Sequence, residues 1–384
     1  MNKMEKEKNA YDNGIRQQVF RLPELCEAQL EVCFGPALKE LMSMAEIFDA
    51  RKVILTGCGA SYAAALAMAP VIEKYCDCFG VQVMRLIEFT RFLPGTEIGI
   101  GEPNSPLVIV LSEQGKEARV CEALGKADRL GAFPILLTGN PDAPAAAYAR
   151  RVFGTRPAQT PEGVFAVQSY FGSLVGLIAF ASRMGHVRGT LPPSGPRQFR
   201  EAVLSYMENC TERLERIDRQ IFEVAWKWRD LTQFDLIGDD VEYGSAFFGS
   251  VRLQEYAGCA AAVDDSEDWC HINYFIGSPE KTGTIVMADE NQPSFGRVLE
   301  TVQSAVRIGR PVLVVTNAKG DIFEKGAEVC TIPDAPEGFA WMYPMLDFIP
   351  LALLAGYLCA LKGGSQPVGT EADEETESKI EIYV

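Results

Sequence analysis

Val53-Ile54-Leu55-Thr56-Gly57 is a short apolar run that ends on a glycine and passes straight into an alanine-rich helical stretch. The same design recurs at Leu107 to Leu111, Phe133 to Thr138, Phe234 to Ile237, Thr284 to Ala288 and Val312 to Thr316. Apolar runs without polar alternation are strands buried on both faces. Strands separated by helices must pair in parallel through right-handed crossovers, so the expected fold class is α/β, with parallel sheets covered by helices on both faces. In such sheets ligands sit beyond the carboxyl ends of the strands.

The runs recur in the same order. Arg129-Leu130-Gly131 followed by Phe133 to Thr138 is echoed by Arg307-Ile308-Gly309 followed by Val312 to Thr316, with the glycines 178 positions apart. Gly57 and Gly238, each closing a strand-like run, are 181 apart. A tandem duplication is the expectation. It places an N-terminal helical extension over 1–34, a first domain over 35–190, and a linker with a bridging helix over 191–229. A second domain covers 230–365, and an acidic tail with a terminal strand covers 366–384.

The chain has 384 residues, enough for two domains with cores of their own. Asp and Glu number 52 against 36 Lys and Arg, a formal charge of -16 that argues against nucleic acid and anionic membranes as partners. The 11 cysteines are odd in number and scattered, without Cys-x-x-Cys spacing, and there are two histidines. They read as reduced cytoplasmic thiols, and neither a metal nor a cofactor is expected. The charged start, Met1 to Lys8, lacks the apolar core of a signal peptide. Met345 to Leu361 is apolar but interrupted by Asp347 and Pro350 and short of a bilayer span, so it reads as a core helix.

Two turns stand out as ligand sites. Cys58-Gly59-Ala60-Ser61 leads from a strand into a helix, whose N-terminal N–H groups and dipole hold phosphate or carboxylate without a basic side chain. Ser112-Glu113-Gln114-Gly115-Lys116 does the same before a helix carrying Val120, Leu124 and Ala127. One such turn alone signals tight packing; two from one sheet can face one ligand. The dinucleotide spacing is missing, since Tyr62 and Ala63 are followed by Ala64, which disfavours an NAD or nucleotide-sugar site. Cys58 has no base near it in sequence and is expected as a small buried turn residue. His186, after Ala179 to Gly185, is expected to cap a helix C-terminus.

Gly57-Cys58-Gly59-Ala60-Ser61-Tyr62 and Ser112-Glu113-Gln114-Gly115-Lys116 together resemble the two sugar-phosphate loops of the sugar isomerase (SIS) domain family, over nearly the whole chain. The resemblance is to the tandem SIS proteins: the isomerase portion of glucosamine-fructose-6-phosphate aminotransferase and the fructosamine-6-phosphate deglycases. It implies two flavodoxin-like domains and a homodimer, conceivable also as a dimer of dimers, with a histidine of one chain completing its neighbour's active site. The implied ligand is a phosphorylated sugar or amino sugar, with Gly59, Ala60, Ser61, Ser112, Glu113, Gln114 and Lys116 as binding residues. Gly249 to Glu255 resembles the family helix that carries the proton-shuttling glutamate, which assigns Glu255 and, beside it, Arg252. His271, sixteen residues on, matches the ring-opening histidine. Ala166, Gln168 and Ser169 match the sugar-lining segment, and Lys379 the C-terminal lysine near the sugar carbonyl.

The chemistry agrees with those residue types. A carboxylate in a partly desolvated pocket can shuttle a proton between C1 and C2, and imidazole can open a cyclic sugar near neutral pH. Without the resemblance, Glu255 reads as a solvated helical glutamate, His271 as a hydrogen-bonded structural histidine and Lys379 as an edge-strand lysine. Three departures bear on the reaction: the aminotransferase loop Ser-Gln-Ser-Gly-Glu-Thr is Ser112-Glu113-Gln114-Gly115-Lys116-Glu117 here, His-Gly-Pro is His271-Ile272-Asn273, and Phe248 replaces a glutamate. The form Ser-x-x-Gly-Lys resembles the deglycases. The expected function is an aldose/ketose isomerase or fructosamine-6-phosphate deglycase, with a non-catalytic sugar-phosphate sensor as the alternative.

Overall fold

A computed structural model describes residues 8–77, 80–98, 105–158 and 167–364. They divide into two compact units, one of residues 24–204 and the other of 8–23 with 205–364. The helix Gly14–Cys33 contributes to both, as does Gly195–Thr211.

In the first unit β1 (Val53–Gly57), β2 (Val81–Arg85), β3 (Leu107–Leu111), β4 (Phe133–Thr138) and β5 (Arg151–Gly154) form one parallel sheet in the order β2-β1-β3-β4-β5. In the second, β6 (Gln233–Ile237), β7 (Ala260–Asp264), β8 (Thr282–Ala288), β9 (Val312–Thr316) and β10 (Glu328–Thr331) pair in parallel in the order β10-β9-β8-β6-β7. Numbered within its own unit, each sheet has the order 2-1-3-4-5. The chain therefore repeats one doubly wound topology, with a switch point between β1 and β3 and another between β6 and β8.

Burial explains why these segments are strands. β1, β3 and β4 are buried at every position, as are β8 and β9, because helices cover both faces. On one face of the first sheet, the Ala118–Arg129 helix sets Val120, Leu124 and Ala127 against Ile54, Val108 and Leu136. On the second, Phe295–Arg307 sets Val298, Val302 and Ala305 against Ile237, Val286 and Val314. The expected charged helix from Arg197 to Arg229 is two helices, Gly195–Thr211 and Leu214–Trp228. They are broken where the Arg213 N–H turns back to the Cys210 carbonyl at 2.9 Å.

The C-terminal helix Phe348–Leu361 is apolar all round and buried along its length, as a core helix must be. The apolar helical run is longer than expected: Ala340–Leu361, 22 residues, is long and apolar enough to cross a membrane, yet 89% of its most apolar window is buried inside the protein. Beneath it lies a polar knot. Asp218, fully buried on Leu214–Trp228, accepts from Lys8 Nζ at 2.6 Å, Arg16 Nε at 3.1 Å and the Tyr357 hydroxyl at 2.5 Å. The N-terminal segment is thereby tied into the second unit. Ala166, Lys379, the acidic tail and the terminal strand expected at 379–384 lie outside the described residues.

Candidate functional site

The first turn is shaped by close approach. A Cβ at Gly57 would stand 3.0 Å from Ser61 Cβ and 3.1 Å from the Leu111 carbonyl oxygen, so a larger residue where β1 enters the Gly59–Cys76 helix would press its neighbours apart. Gly59 has φ +53, a left-handed conformation that glycine adopts without strain. The Ser61 N–H closes onto the Cys58 carbonyl at 3.1 Å, so the Gly59 and Ala60 amides are the ones this helix end offers to a ligand. Ser61 is half-buried. Cys58 is exposed, a correction to the buried turn residue expected: as the N-cap it stands beyond the end of the sheet.

The second turn is locked by its own side chains. Ser112 is buried; its Oγ accepts from the Gly115 N–H at 2.9 Å and donates to Glu117 at 2.7 Å. Gly115 has φ +61, and a Cβ on it would stand 2.6 Å from Ala143 Cβ. Glu113 lies against Gly139 and takes the Arg156 Nε–H at 3.1 Å. Burial pushes its carboxyl up, against the pull of Arg156. Gln114 and Lys116 are exposed. Both turns rise from neighbouring strands, β1 and β3, at the switch point. Gln168 and Ser169 open the Gln168–Arg188 helix of the same unit, and the Gln168 Nε2, in a residue 8% exposed, has no hydrogen-bond partner among the described residues.

Arg85 is a cation that the sequence did not single out. It ends β2 opposite Gly57, and its guanidinium lies 5.0 Å over the Tyr62 ring, one residue past Ser61. His186 is in the last turn of its helix, where its carbonyl accepts from the Gly189 N–H at 3.3 Å.

Glu255, Arg252 and His271 belong to the second unit. Arg252 and Glu255 pair at 3.0 Å on the Val241–Ala257 helix, one turn apart. The Arg252 guanidinium is held 5.2 Å over Phe248 and 5.9 Å over Tyr256, so Phe248 serves as its platform. The Glu255 side chain is 45% exposed; even so, partial burial raises its carboxyl above the usual range, with Arg252 opposing. Removing that carboxylate from water in this way suits it to accept a proton from carbon.

His271 is 66% exposed, at the end of the short helix Asp268–His271, with Nε2 2.9 Å from Glu267 Oε1. Arg297 Nε approaches the other Glu267 oxygen at 2.6 Å. The His271 contact is the larger of the two effects holding the Glu267 carboxyl low. No hydrogen bond or ion pair joins His271 to Glu255 among the described residues. The His271 segment is anchored from below: Ser266 donates N–H and hydroxyl to Asp239, each at 2.8 Å, Trp269 Nε1 donates to Asp235 at 3.1 Å, and Arg310 bridges Asp235 at 2.9 Å to the Asn273 carbonyl at 2.5 Å.

No protein-family profile matches the chain. It is 25% identical over 375 residues to a glutamine–fructose-6-phosphate aminotransferase of Pyrococcus horikoshii, and 24% over 374 residues to that of Gloeobacter violaceus. Each alignment takes in 93% of this chain but only 56% and 57% of the relative, so the chain spans about half the length of the curated proteins it matches. Among solved structures, the C-terminal domain of the Francisella tularensis aminotransferase aligns with TM-score 0.79 at 16% identity, over 92% of this chain and 97% of that one. Tagatose-6-phosphate ketose/aldose isomerase of Escherichia coli aligns with TM-score 0.75 at 15% identity, over 98% of each. The chain is homologous to the isomerase (SIS) part of the aminotransferases, and its two sheets have the SIS fold.

Proposed function

We propose that this protein is a phosphosugar-binding aldose/ketose isomerase or fructosamine-6-phosphate deglycase acting through an enediol or enolamine. The observation that carries the reading is the pair of glycine and serine turns flanking the β1/β3 switch point, in a chain homologous to an isomerase. Gly59, Ala60, Ser61, Ser112 and Lys116 take the anion, with Arg85 added to them. Glu113 and Gln114 border that loop, and Ala166, Gln168 and Ser169 take the sugar hydroxyls.

Glu255 removes the proton from the carbon beside the carbonyl. The C–H electron pair becomes the C1–C2 double bond while the carbonyl oxygen gains a proton; the proton is then returned to the former carbonyl carbon as the hydroxyl on the first carbon gives up its own proton and becomes the new carbonyl. Arg252 holds the Glu255 carboxylate, His271 opens the ring, and Lys379 stands by the sugar carbonyl. His271 serves the neighbouring copy in a homodimer, or in a dimer of such dimers, a role supported by its exposure and by the apolar Ile272 (59% exposed), Phe275 (74%) and Ile276 (41%) beside it. The ten described cysteines are free, which fits a reducing compartment such as the cytoplasm.

The sensor reading is favoured by one observation, the hold of Glu117 on Ser112. Incubation in deuterated water with a panel of ketose phosphates and fructosamine phosphates separates the two: an enzyme exchanges the C1 or C2 proton of one of them, and its Glu255→Gln variant binds without exchange. Binding with no exchange by the unaltered protein leaves the sensor.

A further inference from the structure

His271 is held through one of its two ring nitrogens. A carboxylate accepts hydrogen bonds and has none to give, so the 2.9 Å contact of Nε2 with Glu267 Oε1 puts the ring proton on Nε2. Nδ1 then carries the lone pair, and no hydrogen bond engages it among the described residues. The pair spans the short helix Asp268–His271, from Glu267 at its N-cap to His271 as its last residue.

The carboxylate is itself held from a second element. Arg297, in the first turn of Phe295–Arg307, sets Nε 2.6 Å from Glu267 Oε2 and Nη1 2.9 Å from Glu300. One turn on, Thr301 donates its hydroxyl to the Ser266 carbonyl at 2.8 Å and meets Cys270 Sγ at 3.6 Å. Arg297 and Thr301 therefore hold the 266–270 turn from one face of one helix. The imidazole projects from that turn, 66% exposed. An exposed ion pair on mobile backbone contributes little, but here the turn beneath it is already fixed, so only the two side chains need ordering.

Ring opening needs a base for the anomeric hydroxyl and then an acid for the ring oxygen. With Nε2–H on a carboxylate, the ring presents a basic Nδ1 outward, and the imidazolium formed there is stabilised by the charge behind it. We propose that Glu267, held in place by Arg297, is the positioning residue of His271, and that Nδ1 is the nitrogen that reaches the sugar. The anomeric oxygen gives its proton to Nδ1, and the O–H electron pair becomes the carbonyl bond. The bond from the anomeric carbon to the ring oxygen breaks, its electrons stay on that oxygen, and Nδ1 returns the proton there. This step rests on the isomerase reading with His271 as ring opener; the orientation of the ring by Glu267 does not.

Two measurements on the full chain test it. Glu267 is 60% exposed, so Glu267→Ala should fold. The first is nitrogen NMR of labelled histidine in mildly alkaline buffer, where the ring is neutral; the chain has two histidines, so a His186→Gln background leaves His271 alone. The unaltered ring should be protonated at Nε2 only, and Glu267→Ala should let the Nδ1–H form appear. A proton on Nδ1 in the unaltered protein, or the same tautomer mixture with and without Glu267, overturns the proposal. The second is proton exchange in deuterated water on fructose 6-phosphate and on 5-deoxyfructose 6-phosphate, which lacks the hydroxyl that closes the ring. Glu267→Ala should slow exchange of the cyclic sugar by roughly tenfold or more and leave the open one nearly unchanged. Equal losses on both would show that Glu267 acts on the site at large and not through His271, which refutes it. Exchange of neither sugar by the unaltered protein counts against the isomerase reading and against the reacting Nδ1, while an Nε2–H form lost in Glu267→Ala would still establish Glu267 as what orients the ring.

Discussion

Ser112 gives its hydroxyl proton to Glu117 at 2.7 Å, so a carboxylate of the same loop occupies the group expected to hold a phosphate. Glu117→Thr removes that charge and frees the hydroxyl. Its affinity for fructose 6-phosphate should rise by roughly tenfold or more, about 1.4 kcal/mol, while affinity for fructose changes little. Calorimetric titration of both ligands reads the difference; equal effects on the two sugars would show that Glu117 is no barrier to phosphate.

If Glu255 is the base, it sets the acid limb of activity. Its carboxyl lies above the ordinary range through partial burial, and the ionised form is the base, so kcat/KM should rise with pH through that elevated value. Arg252 pulls the same carboxyl down. Arg252→Met should therefore move the acid limb to higher pH and lower the plateau. A pH–rate profile of the two proteins checks the direction, and a limb that moves down or stays put rules out Glu255 as the titrating base.

How far the sequence could be read depends on burial. The six runs read as strands correspond to β1, β3, β4, β6, β8 and β9, the inner members of their sheets, where helices on both faces demand unbroken apolar residues. The four edge strands β2, β5, β7 and β10 are only partly buried and carry Gln82, Arg151, Asp264 and Glu328, and none has the run of large apolar residues that marks the inner strands, β7 being mostly alanine. Arg85 was missed with β2 for that reason. Ser61, Ser112 and Glu255 were legible as motif positions. The partners of Glu113 and Glu267 were not, because Arg156 lies 43 residues from Glu113 and Arg297 lies 30 residues (297 − 267) from Glu267, distances that only the fold closes.

The ion pair beneath the His271 segment should be costly to break from one side. Arg310 is fully buried and pairs with Asp235 at 2.9 Å, while Asp235 also takes the Trp269 indole N–H. Burial raises the Asp235 carboxyl and Arg310 counters it. Arg310→Met should lose about 3–5 kcal/mol in urea melts, and Asp235→Leu added to it should recover part of that loss. Hydrogen exchange across 266–276 should quicken in the single variant. Unchanged stability would mean that packing of Trp269 alone anchors the segment.

The knot around Asp218 predicts that the N-terminal residues stabilise the second unit. Lys8, Arg16 and the Tyr357 hydroxyl all converge on that one buried carboxylate. Asp218→Ala leaves Lys8, itself 5% exposed, with only the long 3.8 Å contact to the exposed Glu215, and should cost about 3–5 kcal/mol. Removing residues 1–12 should cost less, since Arg16 and Tyr357 stay on Asp218. Chemical denaturation of the three proteins ranks them, and equal midpoints would show the knot to be energetically idle.

If His271 completes the site of a second copy, the two roles can be separated onto different chains. Glu255→Gln and His271→Asn should each be inactive alone. In a mixed dimer one site inherits both lesions, while the other takes Glu255 from one chain and His271 from its partner. Unfolding and refolding the two variants together at equal amounts should then restore about a quarter of the unaltered activity, because half the dimers are mixed and half their sites are intact. If both residues served the site of their own chain, every site would carry one lesion and no activity would return. A third variant, Phe275→Glu, places a charge in the exposed apolar patch beside His271 and should lower both self-association and the recovered activity together. Recovery that is independent of Phe275 would move the shared interface elsewhere on the protein.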